Sequence, residues 1–372
     1  MAVMSWQVAT LAECLDDRVV YRSLEPVDKR LVGLRAAWRE LGWMGYMVPR
    51  KGTPEHAAYL WHLMCQADRL RGSTPQRLLF IGDTLSGDGA VAQLLGERLS
   101  TWGFIGHEQP AKPAGYEMRG NLALATRWSE LECFSSQLQA DGFVWDAGTV
   151  LLLDLDKSLI GARGRNDKVI DEARVAAVRQ TMCASAGGCY EESLFRAVYD
   201  QLNQASYHFI TKDNQDYLAY MCLMVVGGVI GRDDLMQRLD TRQLSTLTAL
   251  TELCDNSRSR MSADMRHAHD EVRAGLAAGD PTPFKQFRCA EFTETTQRMN
   301  SLPTDASQGE VLAQEIVITA EVFHLAQQAA AQGALVMGIS DKPDEASLPT
   351  PEAAAAGAQA IHRTPMKVFG NA

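Results

Sequence analysis

Two aspartates one residue apart, Asp154 and Asp156, close an uninterrupted apolar run in VLLLDLDKS (150–158). Open α/β folds place their chemistry just beyond the carboxyl ends of their strands, so this pair stands where a carboxylate can act. A strand-end aspartate can attack phosphorus and form an aspartyl-phosphate. Its neighbour can then protonate the leaving oxygen and later activate water. Read alone, D-L-D fits equally well a pair of carboxylates capping the following turn. A second acidic pair shifts that balance. LLFIGDTLSGD carries Asp83 and Asp88 at the end of another apolar run, with Gly82, Gly87 and Gly89 permitting a close backbone path. Four carboxylates meeting at strand ends would repel one another without a cation. Hard oxygen ligands few in number suit Mg2+, which keeps several waters and shares a substrate phosphate. A solvated acidic turn is the plainer alternative for this second pair.

These carboxylates need a sheet to converge. Continuous apolar strands are what a parallel sheet covered on both faces produces. RLLFIG (77–82), GTVLLLD (148–154) and GALVMGIS (333–340) have that character, and AQAIHRTPMKVFG (358–370) adds a further strand near the end of the chain. Helical spacing appears in VDKRLVGLRAAWRELGW (27–43) and PEHAAYLWHLMCQADRLRG (54–72). The second of these has Thr53 as N-cap, Pro54 and Glu55 in the first turn and Gly72 as its stop. VAQLLGERLSTWG, after the first acidic loop, resumes a helical pattern. From 161 to 332 the chain reads as predominantly helical, a single large insertion between two strands. The segment 341–357 reads as a loop leading into an alanine-rich helix.

The 372 residues exclude one small domain, and 46% hydrophobic against 22% charged residues is the profile of a chain that buries a core. Forty-six acidic against 36 basic residues give a net charge of −10, which disfavours general attraction to nucleic acid or anionic membranes. The apolar run AYMCLMVVGGVIG (219–231) is shorter than the roughly 20 residues of a membrane helix and reads as a buried one. The first residues lack a basic, then apolar, leader pattern, which points to the cytoplasm. Of the eight cysteines none forms C-x-x-C, and the nearest pair, Cys183 and Cys189, lacks histidine partners, so a thiolate metal site is not expected. No G-x-S-x-G, H-E-x-x-H, G-x-G-x-x-G after a strand, or Walker loop occurs, which argues against serine-hydrolase, zinc-protease, dinucleotide and P-loop chemistry.

With these residues in view the sequence resembles the haloacid dehalogenase-like (HAD) hydrolase superfamily. VLLLDLDKS is similar to its first motif, D-x-D-x followed by Thr, Ser or Val, and LLFIGDTLSGD to its fourth, G-D-x-x-x-x-D. LVMGIS, ending in Ser340, looks like the second motif, and KGTPEHAAYLW places Lys51 where the third puts its lysine. The order along the chain is a cyclic shift of the family's, which implies a circularly permuted core. The resemblance implies an α/β fold: a HAD-like Rossmannoid three-layer core with a parallel sheet, built from 1–160 and 333–372. A large all-helical cap, 161–332, is inserted between the nucleophile strand and the Ser340 strand. It implies Asp154 as nucleophile and metal ligand, and Asp156 as general acid/base offering its backbone carbonyl to the metal. Ser340 would bind phosphate, Lys51 would neutralise it, and Asp83 and Asp88 would hold Mg2+. Lys342 and Lys367 are reserves for Lys51.

The expected activity is Mg2+-dependent hydrolysis of a small-molecule phosphomonoester. Phosphoryl transfer, dehalogenase-type attack on carbon, and a non-catalytic binding protein on the same fold are the alternatives. Ser158 and Lys342 join the candidate substrate-binding set. So do Arg163 and Arg165, which with Lys168 lie just past the nucleophile in GARGRNDKVIDEAR and could bind a second anionic group or simply face water. Tyr207, His208, Lys212, Asp213 and Asn214 precede an apolar helix, where Asp213 or Asn214 serves as an N-cap or contacts substrate. Lys285 and Arg288 follow two prolines in what reads as a plain loop. Expected partners are a phosphorylated small molecule, no nucleic acid and no membrane. The Met- and Trp-bearing stretch 35–70 is weighed as core against the face of a homo-oligomer.

Overall fold

The structure, a computed structural model, describes residues 6–186, 188 and 190–370. It is mixed α/β. Among the described residues ten strands run in chain order: β1 (Val8–Ala9), β2 (Val19–Val20), β3 (Arg77–Gly82), β4 (Ser100–Gly106), β5 (Tyr116–Arg119), β6 (Leu122–Ala125), β7 (Thr149–Asp154), β8 (Ile318–Thr319), β9 (Leu335–Ile339) and β10 (Met366–Phe369). Seven form one sheet in the order β2-β9-β7-β3-β4-β6-β5, parallel throughout except for the β5–β6 hairpin at one edge. β7 therefore lies between β3 and β9, with Leu152 opposite Phe80 on one side and Met337 on the other.

The apolar runs are continuous because both faces are covered. Successive side chains alternate across a strand, so Leu78, Phe80, Val150, Leu152, Leu335 and Met337 share one face. They pack with Leu60, Leu63 and Met64 of the helix Pro54–Leu70 and with Val91 and Leu95 of the helix Ala90–Leu95. Against the other side lie the helices Glu130–Ala140 and Ala320–Ala331, the latter leading directly into β9. Three layers result. A small second sheet, β1-β10-β8, pairs the two ends of the chain, Val8 opposite Lys367 in antiparallel register.

The expected helix at 54–72 is present, with Thr53 accepting from the backbone N–H of His56 and Pro54 in the first turn. The expected helix at 27–43 is not. Only Leu34–Ala37 is helical there, and the remainder is turns. The Asp28 carboxylate bonds the N–H of Arg30, and the Glu25 carboxylate bonds that of Arg35, so side chains take up donors that a helix would have used.

The chain divides into two compact units, one of residues 1–172 and 295–372 and one of 173–294. The second is all-helical but narrower than the span 161–332. Residues 161–172 and 295–332 pack with the sheet unit instead. There Asn166 Nδ2 donates to the carbonyls of Leu312 and Glu315, and Thr319 Oγ1 donates to that of Ser158. Within the second unit the apolar run centred on 219–231 forms the buried helix Gln215–Val226, capped by Asn214, whose side chain accepts from Asp216 N–H. Among the described residues no helix is long and apolar enough to cross a membrane.

Arg288, read from sequence as part of a plain loop, lies inside this helical unit. Its guanidinium donates to Asp216 Oδ2 at 2.8 Å through Nε and lies 2.5 Å from Glu291 Oε2 through Nη1. Asp216 also accepts from the N–H of Phe284. Arg288 is thus the counter-ion of the buried Asp216, and shares Glu291 with Arg174, whose Nε lies 3.2 Å from Glu291 Oε1. The Cys183–Cys189 pair falls partly outside the described residues at Cys189.

Candidate active site

The parallel register of β3, β7 and β9 brings three chain-distant segments to one sheet end. Asp83 follows β3, Asp154 ends β7 and Ser340 follows β9. Lys51 reaches the same end from the loop before the helix Pro54–Leu70. One carboxylate oxygen from each of Asp83, Asp88 and Asp154 lies within 4.8 Å of the others. The Lys51 ammonium sits among them, 2.5 Å from Asp154 Oδ1 and 2.5 Å from Asp88 Oδ1.

Each side chain is fixed by its own local chemistry. After β3 a short π-helical turn, Leu85–Gly89, carries Asp88 back over Gly82. A Cβ at Gly82 would lie 2.3 Å from the Asp88 carboxyl carbon, so only glycine admits this approach. Asp88 Oδ2 then accepts from the N–H of Asp83 at 3.0 Å, the N–H of Thr84 at 2.9 Å and the Thr84 hydroxyl at 2.9 Å. Asp88 Oδ1 has the Lys51 contact but lies outside hydrogen-bond geometry with any group. At β7, Asp154 Oδ2 accepts from the Ser158 hydroxyl at 2.8 Å, across a turn in which Lys157 takes φ 63°. Ser340 donates to Asp156 Oδ2 at 2.6 Å and accepts from the N–H of Lys342 at 2.9 Å.

The electrostatics follow from burial of like charges. Burial pushes the Asp154 carboxyl well above its ordinary range; the ammonium of Lys51 opposes this, while Asp88 and Asp83 add to it. Asp83 is raised to about 6 by burial and then by Asp88, with Arg163 opposing. Asp88 is the exception, since Lys51 and the Thr84 donors outweigh its burial and hold it below the usual range. Lys51 is held well above its ordinary value because Asp154 and Asp88 outweigh the cost of burying it. Arg163 Nη1 lies 3.2 Å from Asp83 Oδ2 and from its carbonyl oxygen. Three carboxyl groups meet here beside Lys51 and Arg163, and hard carboxylate oxygens in that number fit a divalent cation, whose charge would favour their ionised forms.

The predicted residues do not all converge. Asp156 is hydrogen-bonded to Ser340, and its carboxylate is not one of the clustered three. Ser158 is fully buried against Asp154, so it orients that carboxylate and is closed to a substrate. Arg165 is held bidentately by Glu321 at 3.0 and 2.9 Å and by Glu108 at 3.0 Å, which engages it within the protein. Lys342 is buried, with its main chain bonded to Ser340 and Arg22. Lys367 is fully buried on Glu315 at 2.9 Å in the small sheet, and Lys51 is the lysine found at Asp154. Sequence reading passed over Thr84, although a threonine just before a helix start is a favoured N-cap. The chain matches no family model, no curated protein and no solved structure.

Proposed function

We propose that the chain is a metal-dependent phosphohydrolase, acting on a small-molecule phosphomonoester through an aspartyl-phosphate on Asp154, on a HAD-like core with circularly permuted motif order. The observation that carries this reading is the convergence of Asp83, Asp88 and Asp154 around Lys51 at the carboxyl ends of adjacent parallel strands. The permutation draws support from the pairing of β1 with β10, because chain ends that lie side by side are what a cyclic shift requires.

In this reading Asp83, Asp88 and Asp154 would hold a divalent ion of the Mg2+ class, which when bound supplies positive charge to screen the phosphate. Lys51 opposes the burial penalty on the Asp154 charge and draws in a phosphate oxygen, while the Ser158 hydroxyl fixes the rotation of the carboxylate. Asp154 attacks phosphorus as the ester P–O bond breaks, and Asp156 gives its proton to the departing oxygen. Water then attacks the aspartyl-phosphate, its proton passing to Asp156 and restoring both carboxyls. Ser340, bonded to Asp156 Oδ2, sets the direction of that proton. Attack on carbon, as in a dehalogenase, has no use for the Asp83–Asp88 pair.

Phosphate release from sugar, nucleotide and acid phosphates, with and without Mg2+, tests the proposal. Turnover that requires the metal and disappears in Asp154→Asn is expected. Equal release by wild type and Asp154→Asn, or none from either, overturns it.

A further inference from the structure

The three clustered carboxylates are each held by one oxygen. Asp88 Oδ2 takes the donors of Asp83 and Thr84, Asp154 Oδ2 takes the Ser158 hydroxyl, and Asp83 Oδ2 takes Nη1 of Arg163 at 3.2 Å. That nitrogen also donates to the main-chain carbonyl of Asp83 at 3.2 Å, so it bridges the side chain and backbone of one residue. A carboxylate tied at one oxygen presents the other in a fixed direction, and for Asp88 and Asp154 that other oxygen, Oδ1, meets Lys51. Thr84 and Ser158 stand four residues from the carboxylates they hold. Arg163 stands 80 residues from its own.

The loop that carries Arg163 is anchored on both sides of its peptide. Its N–H donates to the carbonyl of Lys157 at 2.8 Å, and its carbonyl accepts from the N–H of Glu108 at 2.9 Å and from Nε1 of the buried Trp128 at 3.2 Å. Gly164 follows at φ 78°, where a Cβ would lie 2.1 Å from the carbonyl oxygen of Glu108, so only glycine seats the loop against that segment. From this anchor the guanidinium, 37% exposed, reaches the rim of the cluster over an Asp83 side chain that is 10% exposed. Among the described residues no other N–H is hydrogen-bonded to the Asp83 carboxylate. An ion pair so open to water adds little to stability. What the clamp does fix is the direction of Asp83.

We propose that Arg163 is a positioning residue for a divalent cation: it sets the Asp83 carboxylate for the ion from the rim of the cluster, as Ser158 sets Asp154 and Thr84 sets Asp88. This rests on the metal-binding part of the reading above. Groups that orient the ligands of a metal contribute about tenfold to a hundredfold to its affinity. Charge alone predicts the opposite sign, because removing a guanidinium beside a cation site relieves repulsion and tightens binding.

Mn2+ binding to the full chain, measured by calorimetry and by the loss of the paramagnetic signal of the free ion, tests the assignment. Arg163→Met, which keeps the length of the side chain without its donors or charge, is expected to weaken binding by about tenfold to a hundredfold. Arg163→Gln, a polar change at a half-exposed position, is expected to show the same loss. Arg163→Lys restores a charged donor and is expected to recover most of it. Lys112→Gln removes an exposed charge in the loop after β4 and is expected to leave the affinity within about twofold of wild type. A loss in the Arg163 variants with their metal-free Tm unmoved separates positioning from a general effect on folding. Unchanged or tighter binding in Arg163→Met and Arg163→Gln, no recovery in Arg163→Lys, an equal loss in Lys112→Gln, or no ion bound by wild type would overturn the inference. Binding that depends on Arg163 without phosphate release from any ester would remove the hydrolase reading and leave the positioning role. Metal-dependent release by wild type, with Mn2+ held as tightly by Arg163→Met, would do the reverse.

Discussion

Replacing Asp154 with asparagine separates a catalytic carboxylate from a structural one by the sign of its effect on stability. The substitution forfeits the attraction of Lys51 at 2.5 Å, about 7 kcal/mol at an effective dielectric constant of about 20. It also relieves repulsion from Asp83 and Asp88, whose oxygens lie within 4.8 Å, at least about 3.5 kcal/mol each on the same basis. These terms nearly cancel. What survives is relief from burying a charge, since Asp154 is 4% exposed, less the weakening of the Ser158 hydrogen bond. The metal-free variant is therefore expected to be more stable than wild type by about 1–2 kcal/mol at pH 8, a rise in Tm of a few degrees. The folded pKa of Asp154 lies above its unfolded value, so ionisation costs wild type stability as pH rises from about 4. The gap between the two proteins is thus widest at pH 8 and closes toward pH 4. Thermal unfolding monitored by circular dichroism across that range, with and without Mg2+, measures both effects. Mg2+ should raise the wild-type Tm and leave the variant almost unmoved. A variant destabilised by about 3–5 kcal/mol at every pH, as when a simple buried ion pair is broken, would refute this reasoning.

Asp68 carries a related penalty away from the site: burial raises its carboxyl to about 6, and neither oxygen has a hydrogen-bond donor, with Arg71 3.6 Å away. Asp68→Asn should stabilise the protein by on the order of 1 kcal/mol at pH 8 and by nothing at pH 4, read from urea midpoints. Arg288→Met should destabilise the helical unit by about 3–5 kcal/mol, because the buried Asp216 loses its counter-charge while Glu291 keeps Arg174. Hydrogen exchange of Gln215–Val226 would report it, and unchanged protection would contradict the network's importance. Joining the chain ends, where Trp6 and Phe369 rings lie 6.1 Å apart, and reopening at the exposed Asp141–Gly142 turn restores the unshifted motif order. That permutant should fold and keep the activity of the parent; failure to fold would count against the proposed circular permutation.

The sheet was legible in the sequence because its strands are buried on both faces, so VLLLD, RLLFIG and LVMGI stand out against any pattern with a polar side. The helix Pro54–Leu70 was legible for a local reason too, since Thr53, Pro54 and Glu55 act within a single turn. The same local logic identified Asp154 and the two aspartates of GDTLSGD as strand-end carboxylates. It could not tell that Asp156 turns to Ser340, or that Arg165 is taken by Glu321, because those partners are 184 and 156 residues away along the chain. The stretch 27–43 misled for the converse reason: its helical spacing is real, but the Asp28 and Glu25 side chains compete for the backbone donors. Residue type and short-range spacing thus determined which carboxyl groups stand at strand ends. Only the tertiary structure decided which groups meet, because the order β9-β7-β3 places three remote segments side by side and packs one lysine among their charges.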